Sequence, residues 1–203
     1  MAPRAVLLAS CLLAMTTGCA GTKPMGSPRT FTASPGARVA LIPFEDLSGR
    51  VDVAESFTRV FLTSLVQSGT LDVLEPGLVE AAIEGLQIRS TAAMTSTELK
   101  ALADTLGATH VLLGTVLDAG VVRTEEGELP SVAAALRLVE IRTQRVVWAC
   151  HHAKTGEDHA TVFGWGRERS RDRLLGALAT EMMGQLKKSA VLETSTPSER
   201  SER

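Results

Sequence analysis

The stretch Thr109-His110-Val111-Leu112-Leu113-Gly114-Thr115-Val116-Leu117 constrains this chain more than any other. It is almost continuously apolar, so both faces of the strand it forms must be covered. Such a strand belongs in the middle of a sheet with helices on either side.

The segments around it fit that demand. Residues 38–44 form a short β-branched and apolar strand, and Pro43 places its end at an edge or exit. Asp52-Val53-Ala54-Glu55 has the form of a capping box with Asp in place of Ser or Thr. It opens a helix with Phe57, Phe61 and Leu65 on one stripe, stopped by Gly69. Residues 71–74 are a second short strand, and Pro76 starts a helix to about Ile88. Thr95-Ser96-Thr97-Glu98 is a full capping box for a helix ending at Gly107. Residues 132–141 and 145–150 form a hairpin turning at 142–144. In its second strand Val146, Trp148 and Cys150 are expected on one face, and Val147 and Ala149 on the other. Both sets are apolar, so helices are expected over both. A last helix spans about 170–188, with Leu174, Leu178, Met182 and Leu186 as its stripe and Lys187 and Lys188 at its negative end. The order β-α-β-α-α-β-β-β-α predicts a single α/β domain, three layers αβα, with a mixed sheet of about five strands.

The N-terminus carries a different signal. Arg4, an apolar run of eleven residues (5–15) and then Thr16-Thr17-Gly18-Cys19 resemble a bacterial lipoprotein export signal. Eleven residues are too few to span a bilayer, which takes about 20. Leu8-Ala9-Ser10-Cys11 fits the lipobox letters better, but cleavage there would leave an apolar region of only about five residues, below the usual range. Lipidation is therefore placed on Cys19, with residues 1–18 as signal peptide. Several acyl chains on one cysteine give stable attachment where one would not. Ala20 after the cysteine, rather than Asp, points by analogy to the outer membrane and its periplasmic face.

Residues 19–37 are then the lipidated cysteine and a tether rich in Gly, Pro, Ser and Thr, 38–188 the domain, and 189–203 a disordered tail. The eighteen residues 20–37 reach at most about 60 Å extended and about 24 Å on average as a coil. Without Arg4 the mature chain holds 20 basic and 23 acidic side chains, a net charge of −3. That weak charge, with five Phe, two Trp and no Tyr, argues against nucleic acid as a partner. With Cys11 removed and Cys19 acylated, Cys150 stands alone and no internal disulfide is available.

Several segments resemble CsgG-like and LpoB-like envelope lipoproteins. Val39-Ala40-Leu41-Ile42-Pro43-Phe44-Glu45-Asp46-Leu47-Ser48-Gly49 is similar to their opening strand and loop, and Leu71-Asp72-Val73-Leu74-Glu75 to their second strand. Leu106-Gly107-Ala108-Thr109-His110-Val111-Leu112-Leu113-Gly114 resembles their most specific segment. Leu136-Arg137-Leu138-Val139-Glu140-Ile141 and Arg145-Val146-Val147-Trp148 resemble their hairpin, with Thr143-Gln144 at the turn where Thr-Gly is usual. The resemblance covers about residues 38–188. It implies a non-enzymatic adaptor that binds an envelope protein, or a self-oligomerising accessory of a secretion complex. The curli-type pore needs long amphipathic hairpins. Residues 119–130 and 153–163 are too short and polar for membrane strands of about 9–11 residues each. The LpoB type reaches its penicillin-binding protein on a long tether, and the tether here is short.

Candidate site residues are few. Cys150, His151, His152 and His159 are the one concentration of metal-type ligands, without standard spacing. They are either part of a metal-dependent enzyme site or a small cysteine with polar histidines at a strand end. Phe163 and Trp165 in a glycine-flanked loop are candidate partner anchors, or a Trp folded over the core. Arg167, Arg169, Arg171 and Arg173 alternate with Glu168 and Asp172, as a docking patch or a solvated helix start. Glu45 and Asp46 either line a cleft or serve as loop and capping residues. No nucleophile elbow, phosphate-binding loop or carboxylate pair supports catalysis, and no cofactor is implied.

Overall fold

A computed structural model describes residues 31–33, 37–50, 52–91, 93–125, 127–158 and 166–192. The elements in chain order are β1 (Phe31–Ala33), β2 (Arg38–Leu41), β3 (Glu45–Asp46), α1 (Val53–Ser68), β4 (Asp72–Val73), α2 (Pro76–Gly85) and α3 (Ser96–Leu106). They continue with β5 (His110–Asp118), β6 (Val121–Thr124), β7 (Gly127–Glu140), β8 (Arg145–Thr155), α4 (Arg171–Ser189) and β9 (Ala190–Leu192).

β5 is central. It pairs in parallel with β2 and β3 and antiparallel with β7. The main sheet runs β4-β2-β5-β7, with β8 antiparallel to β7. Among the described residues it has seven strands rather than about five, because β3 and β6 are short extensions of ladders already expected. β6 continues the β5 side of the β7 ladder, so 119–130 turns back as a hairpin that carries β7 well before residue 132.

Two cores flank the sheet. On one face Val39, Leu41, Leu112, Val116, Leu136 and Leu138 pack against α1 and α4. On the other, Ala40, Ile42, Val111, Leu113 and Val139 pack against α2 and α3. Period-two alternation sends neighbouring residues of β2 and β5 into opposite cores, which is why Val39–Leu41 and Val111–Leu113 are apolar without a break. The fold is the three-layer α/β arrangement expected, with every residue of the α4 stripe buried.

Aromatics are scarce but concentrated. Phe44, Phe57 and Phe61 form a ring cluster with centroids 5.5, 5.8 and 6.1 Å apart. Gly114 makes room for it. A Cβ there would lie 2.4 Å from the Phe44 ring and 2.5 Å from Leu136. The last glycine of the Leu106–Gly114 motif thus has a steric reason.

Some expectations need correction. Asp52 does not cap α1. It takes a left-handed conformation at φ 66° and its side chain accepts no capping bond. Asp46 does part of that work: one carboxylate oxygen accepts from Ala54 N at 3.4 Å, and the other accepts from Ser48 N and Oγ at 2.8 and 2.6 Å. Glu55 instead pairs with Arg59 at 2.8 Å. The Thr95–Glu98 box forms in full. α2 stops at Gly85, short of Ile88, and begins with the Glu75 side chain accepting from Leu78 N. β1 and β9 form a separate parallel pair, and Phe31 enters the α1/α4 core. Strand structure is therefore described at Phe31–Ala33 and Ala190–Leu192, beyond 38–188 at both ends.

β8 departs most from expectation. A register shift between Leu138 and Val139 leaves Val147 as the extra residue, since Leu138 faces Trp148 and Val139 faces Val146. The bulge turns Val147 toward the α1/α4 core with Trp148 and Cys150, and Val146 is half-exposed. Among the described residues no helix covers the second face of β8: Ala149, His151 and Ala153 are exposed. Among the described residues no helix is long and apolar enough to cross a membrane.

Candidate functional site

The uncovered face of β5, β7 and β8 holds an open groove of about 390 Å³. Its floor is a two-row lattice set by strand register. Leu113, Arg137 and Ala149 stand opposite one another, as do Thr115, Ala135 and His151. Ala133 opposite Ala153 continues it. The α2/α3 layer covers Leu113 and Val139 but leaves Arg137, Ala149 and His151 exposed. Small alanines beside the long Arg137 and His151 make a depression rather than a flat sheet. The surface offers an apolar floor with one fixed cation and one imidazole, which suits a protein segment better than a reacting small molecule.

The opposite face of β8 is closed by a polar network under α4. Lys154 is buried, and its Nζ lies 2.9 Å from Glu181 Oε2 and 4.0 Å from Asp158 Oδ2. His152 Nδ1 lies 3.5 Å from Glu181 Oε1, and His152 Nε2 meets Gln185 Nε2. The Lys154 ammonium, first by hydrogen bonding and then by its charge, holds the Glu181 carboxyl below its ordinary value. Burial, with a smaller push from Glu181, raises the Cys150 thiol to about 12. Cys150 is therefore a protonated, poorly nucleophilic thiol at neutral pH.

This arrangement separates the expected metal ligands. Cys150 borders the groove but packs against the α1/α4 core, His152 lies beside Glu181 of α4, His151 is exposed on the groove side, and His159 lies outside the described residues. Among the described residues no group of three or more His, Cys, Asp and Glu side chains is gathered for a metal. Phe163 and Trp165 also lie outside the described residues. Arg167 is half-buried and Arg169 exposed, on a segment that meets the end of β8 through Glu168 N donating to Gly156 O at 2.9 Å. A Cβ on Gly156 would meet Glu168 O at 2.2 Å, so that approach requires glycine. Neither arginine lines the groove. Arg173 lies 3.7 Å from Glu168, and Ser170 caps α4 by accepting from Arg173 N. Glu45 and Asp46 serve the β3 loop: Glu45 accepts from Thr115 Oγ1 at 3.4 Å.

Sequence reasoning missed the groove. A signal was present in Ala133 and Ala135 on one strand and Ala149 and Ala153 on the next, because alanine is depleted from strands and these four share a face built for something other than helix packing.

No family model matches the chain, and no curated protein matches it. Solved structures do. The lipoprotein GNA1162 from Neisseria meningitidis is 21% identical at TM-score 0.56, over 75% of this chain and 99% of that one. PelC from Paraburkholderia phytofirmans, described as a dodecamer, is 18% identical at TM-score 0.54, over 80% and 94%. The LpoB C-terminal domain from Salmonella enterica aligns at TM-score 0.47 with 16% identity, over 60% and 84%, too loosely to carry an argument. The chain shares the α/β fold of GNA1162 and PelC, and at these identities the likeness is one of fold.

Proposed function

We propose that the chain is a non-enzymatic outer-membrane lipoprotein, held by lipid on Cys19, whose periplasmic domain docks another envelope protein and supports envelope assembly, secretion or peptidoglycan synthesis. The observation that carries the docking role is the open face of β5, β7 and β8. One half of the sheet is sealed on both sides while this half presents an apolar groove beside Arg137 and His151. The export-signal resemblance at residues 4–19 supports the anchor. The non-enzymatic reading is supported by the protonated Cys150 thiol, packed against the α1/α4 core, and by the placing of His152 beside Glu181 while His151 is exposed on the other face.

Two measurements in intact cells test it. Labelled fatty acid is incorporated into the wild type and not into Cys19→Ala, which leaves the membrane fraction. Chemical crosslinking yields a reproducible adduct with one envelope protein, and Ala149→Arg loses that adduct while keeping the fatty acid label. A Cys19→Ala variant that stays in the membrane refutes the anchor. An adduct indifferent to Ala149→Arg refutes the groove as the docking surface.

A second reading is a self-oligomerising accessory of a secretion complex. It is favoured by the like-folded PelC, which is described as a dodecamer. A ring of many copies in solution supports it.

A further inference from the structure

The two faces of the β7–β8 ladder treat their cations differently. Under α4, buried Lys154 has the Glu181 carboxylate at 2.9 Å and that of Asp158 at 4.0 Å. On the open face Arg137 is exposed, and among the described residues its side chain forms no ion pair or hydrogen bond. No acidic side chain lines the groove with it. Glu45 and Asp118 also stand on that face, but each is held elsewhere. Glu45, on the far side of β5, accepts from Thr115 Oγ1 at 3.4 Å, and Asp118, opposite Ala133, accepts from Ser131 Oγ at 2.8 Å. The fold supplies carboxylates to one cation and leaves the other to be met from outside.

Arg137 and His151 are diagonal neighbours, since Arg137 is opposite Ala149 and Ala135 is opposite His151. Such positions hold their Cβ atoms about 7–8 Å apart. A guanidinium fork and an imidazole N–H at that spacing can meet on the two oxygens of one carboxylate. The floor around them, Leu113, Ala135 and Ala149, is apolar and low. It leaves room for small apolar groups beside the charge. The groove is open across three strands and does not enclose Arg137, which suits an extended protein segment more than a small free acid.

We infer that the partner's docking segment carries an aspartate or glutamate among small apolar residues, and that Arg137 grips its carboxylate with His151 beside it. This rests on the docking role proposed above and names the chemistry that role selects.

The test uses the full lipidated chain in isolated cell envelopes, with a photo-activated residue in place of exposed Ala153 to report docking. Arg137→Gln lowers the yield of the protein adduct about tenfold and Arg137→Glu lowers it further. Arg137→Lys, which keeps the charge, retains more than either. It also sets an amine against the carboxylate, and a water-soluble carbodiimide then joins the two as an amide. Mass spectrometry finds that link between position 137 and an aspartate or glutamate of the same partner protein. An adduct indifferent to both Arg137→Gln and Arg137→Glu overturns the carboxylate and leaves the docking face standing. So does an adduct that is never amide-linked at 137. No adduct from 153 with Arg137 intact refutes the docking role itself, and the inference with it. A link from 137 to a wall peptide, recognised by its release on muramidase digestion, overturns the protein segment and gives the groove to peptidoglycan.

Discussion

β2 and β8 belong to one sheet, yet they live in different environments. β2 is sealed by helices on both faces, and Val39 and Ala40, pointing to opposite cores, are both fully buried. β8 is sealed on one face by α4 and open on the other. The difference lies in helix count. α2 and α3 follow β4 and sit over the β4–β2–β5 half, and the hairpin from β5 through β8 adds strands without adding a helix to that side. Stability is concentrated in the covered half, and the other half is left with surface to offer.

The largest test of this contrast is a matched pair of substitutions. Ala134 on β7 is 1% exposed, on the face toward α4, whereas Ala149 on β8 is exposed on the open face. Ala134→Asp desolvates a carboxylate in a closed site, where His152 opposite it and Lys154, already held by Glu181, compensate it only in part, and costs about 3 kcal/mol in denaturant unfolding. Ala149→Asp stays within about 0.5 kcal/mol. Equal losses would break the comparison.

Next comes Gly114→Ala. The added carbon has Phe44 and Leu136 in its place, at 2.4 and 2.5 Å. Overpacking there costs about 2–3 kcal/mol by the same measurement. Glu181→Ala leaves Lys154 under α4 without its nearest carboxylate and costs about 1–2 kcal/mol, discounted because Glu181 is partly exposed. The folded carboxyl lies below its ordinary 4.5, so its contribution is complete above that pH and is lost as pH falls through the folded value. The variant shows a shallower acid loss than the wild type. The smallest effect belongs to His110, buried on β5. Burial lowers its imidazole below the ordinary 6.5, and the charge of Glu140 opposes that shift only in part. Its contribution is complete above 6.5 and fades as pH falls through the folded value. His110→Gln flattens the stability profile over that window.

The covered half was legible from sequence because its rules are local. Continuous apolarity on β5, the Thr95–Glu98 box and the Leu174, Leu178, Met182, Leu186 stripe each name their own environment. Asp52 misled because a capping box is read from letters, whereas the cap here comes from Asp46, six positions earlier, on a strand that only the ladder to β5 puts in place. β8 misled for a related reason. Strict alternation assigns Val146 and Val147 correctly only where the register is unbroken, and the bulge depends on β7 as much as on β8. The groove is harder still, since it arises from three strands with no helix above them among the described residues.

The open face tests the account most directly. A photo-activated crosslinking residue is placed at 149 in the groove and, separately, at exposed Val66 on α1, and cells are irradiated intact. The account predicts an adduct with a distinct envelope protein from position 149 and none from position 66. No adduct from 149, or the same adduct from both positions, would contradict it.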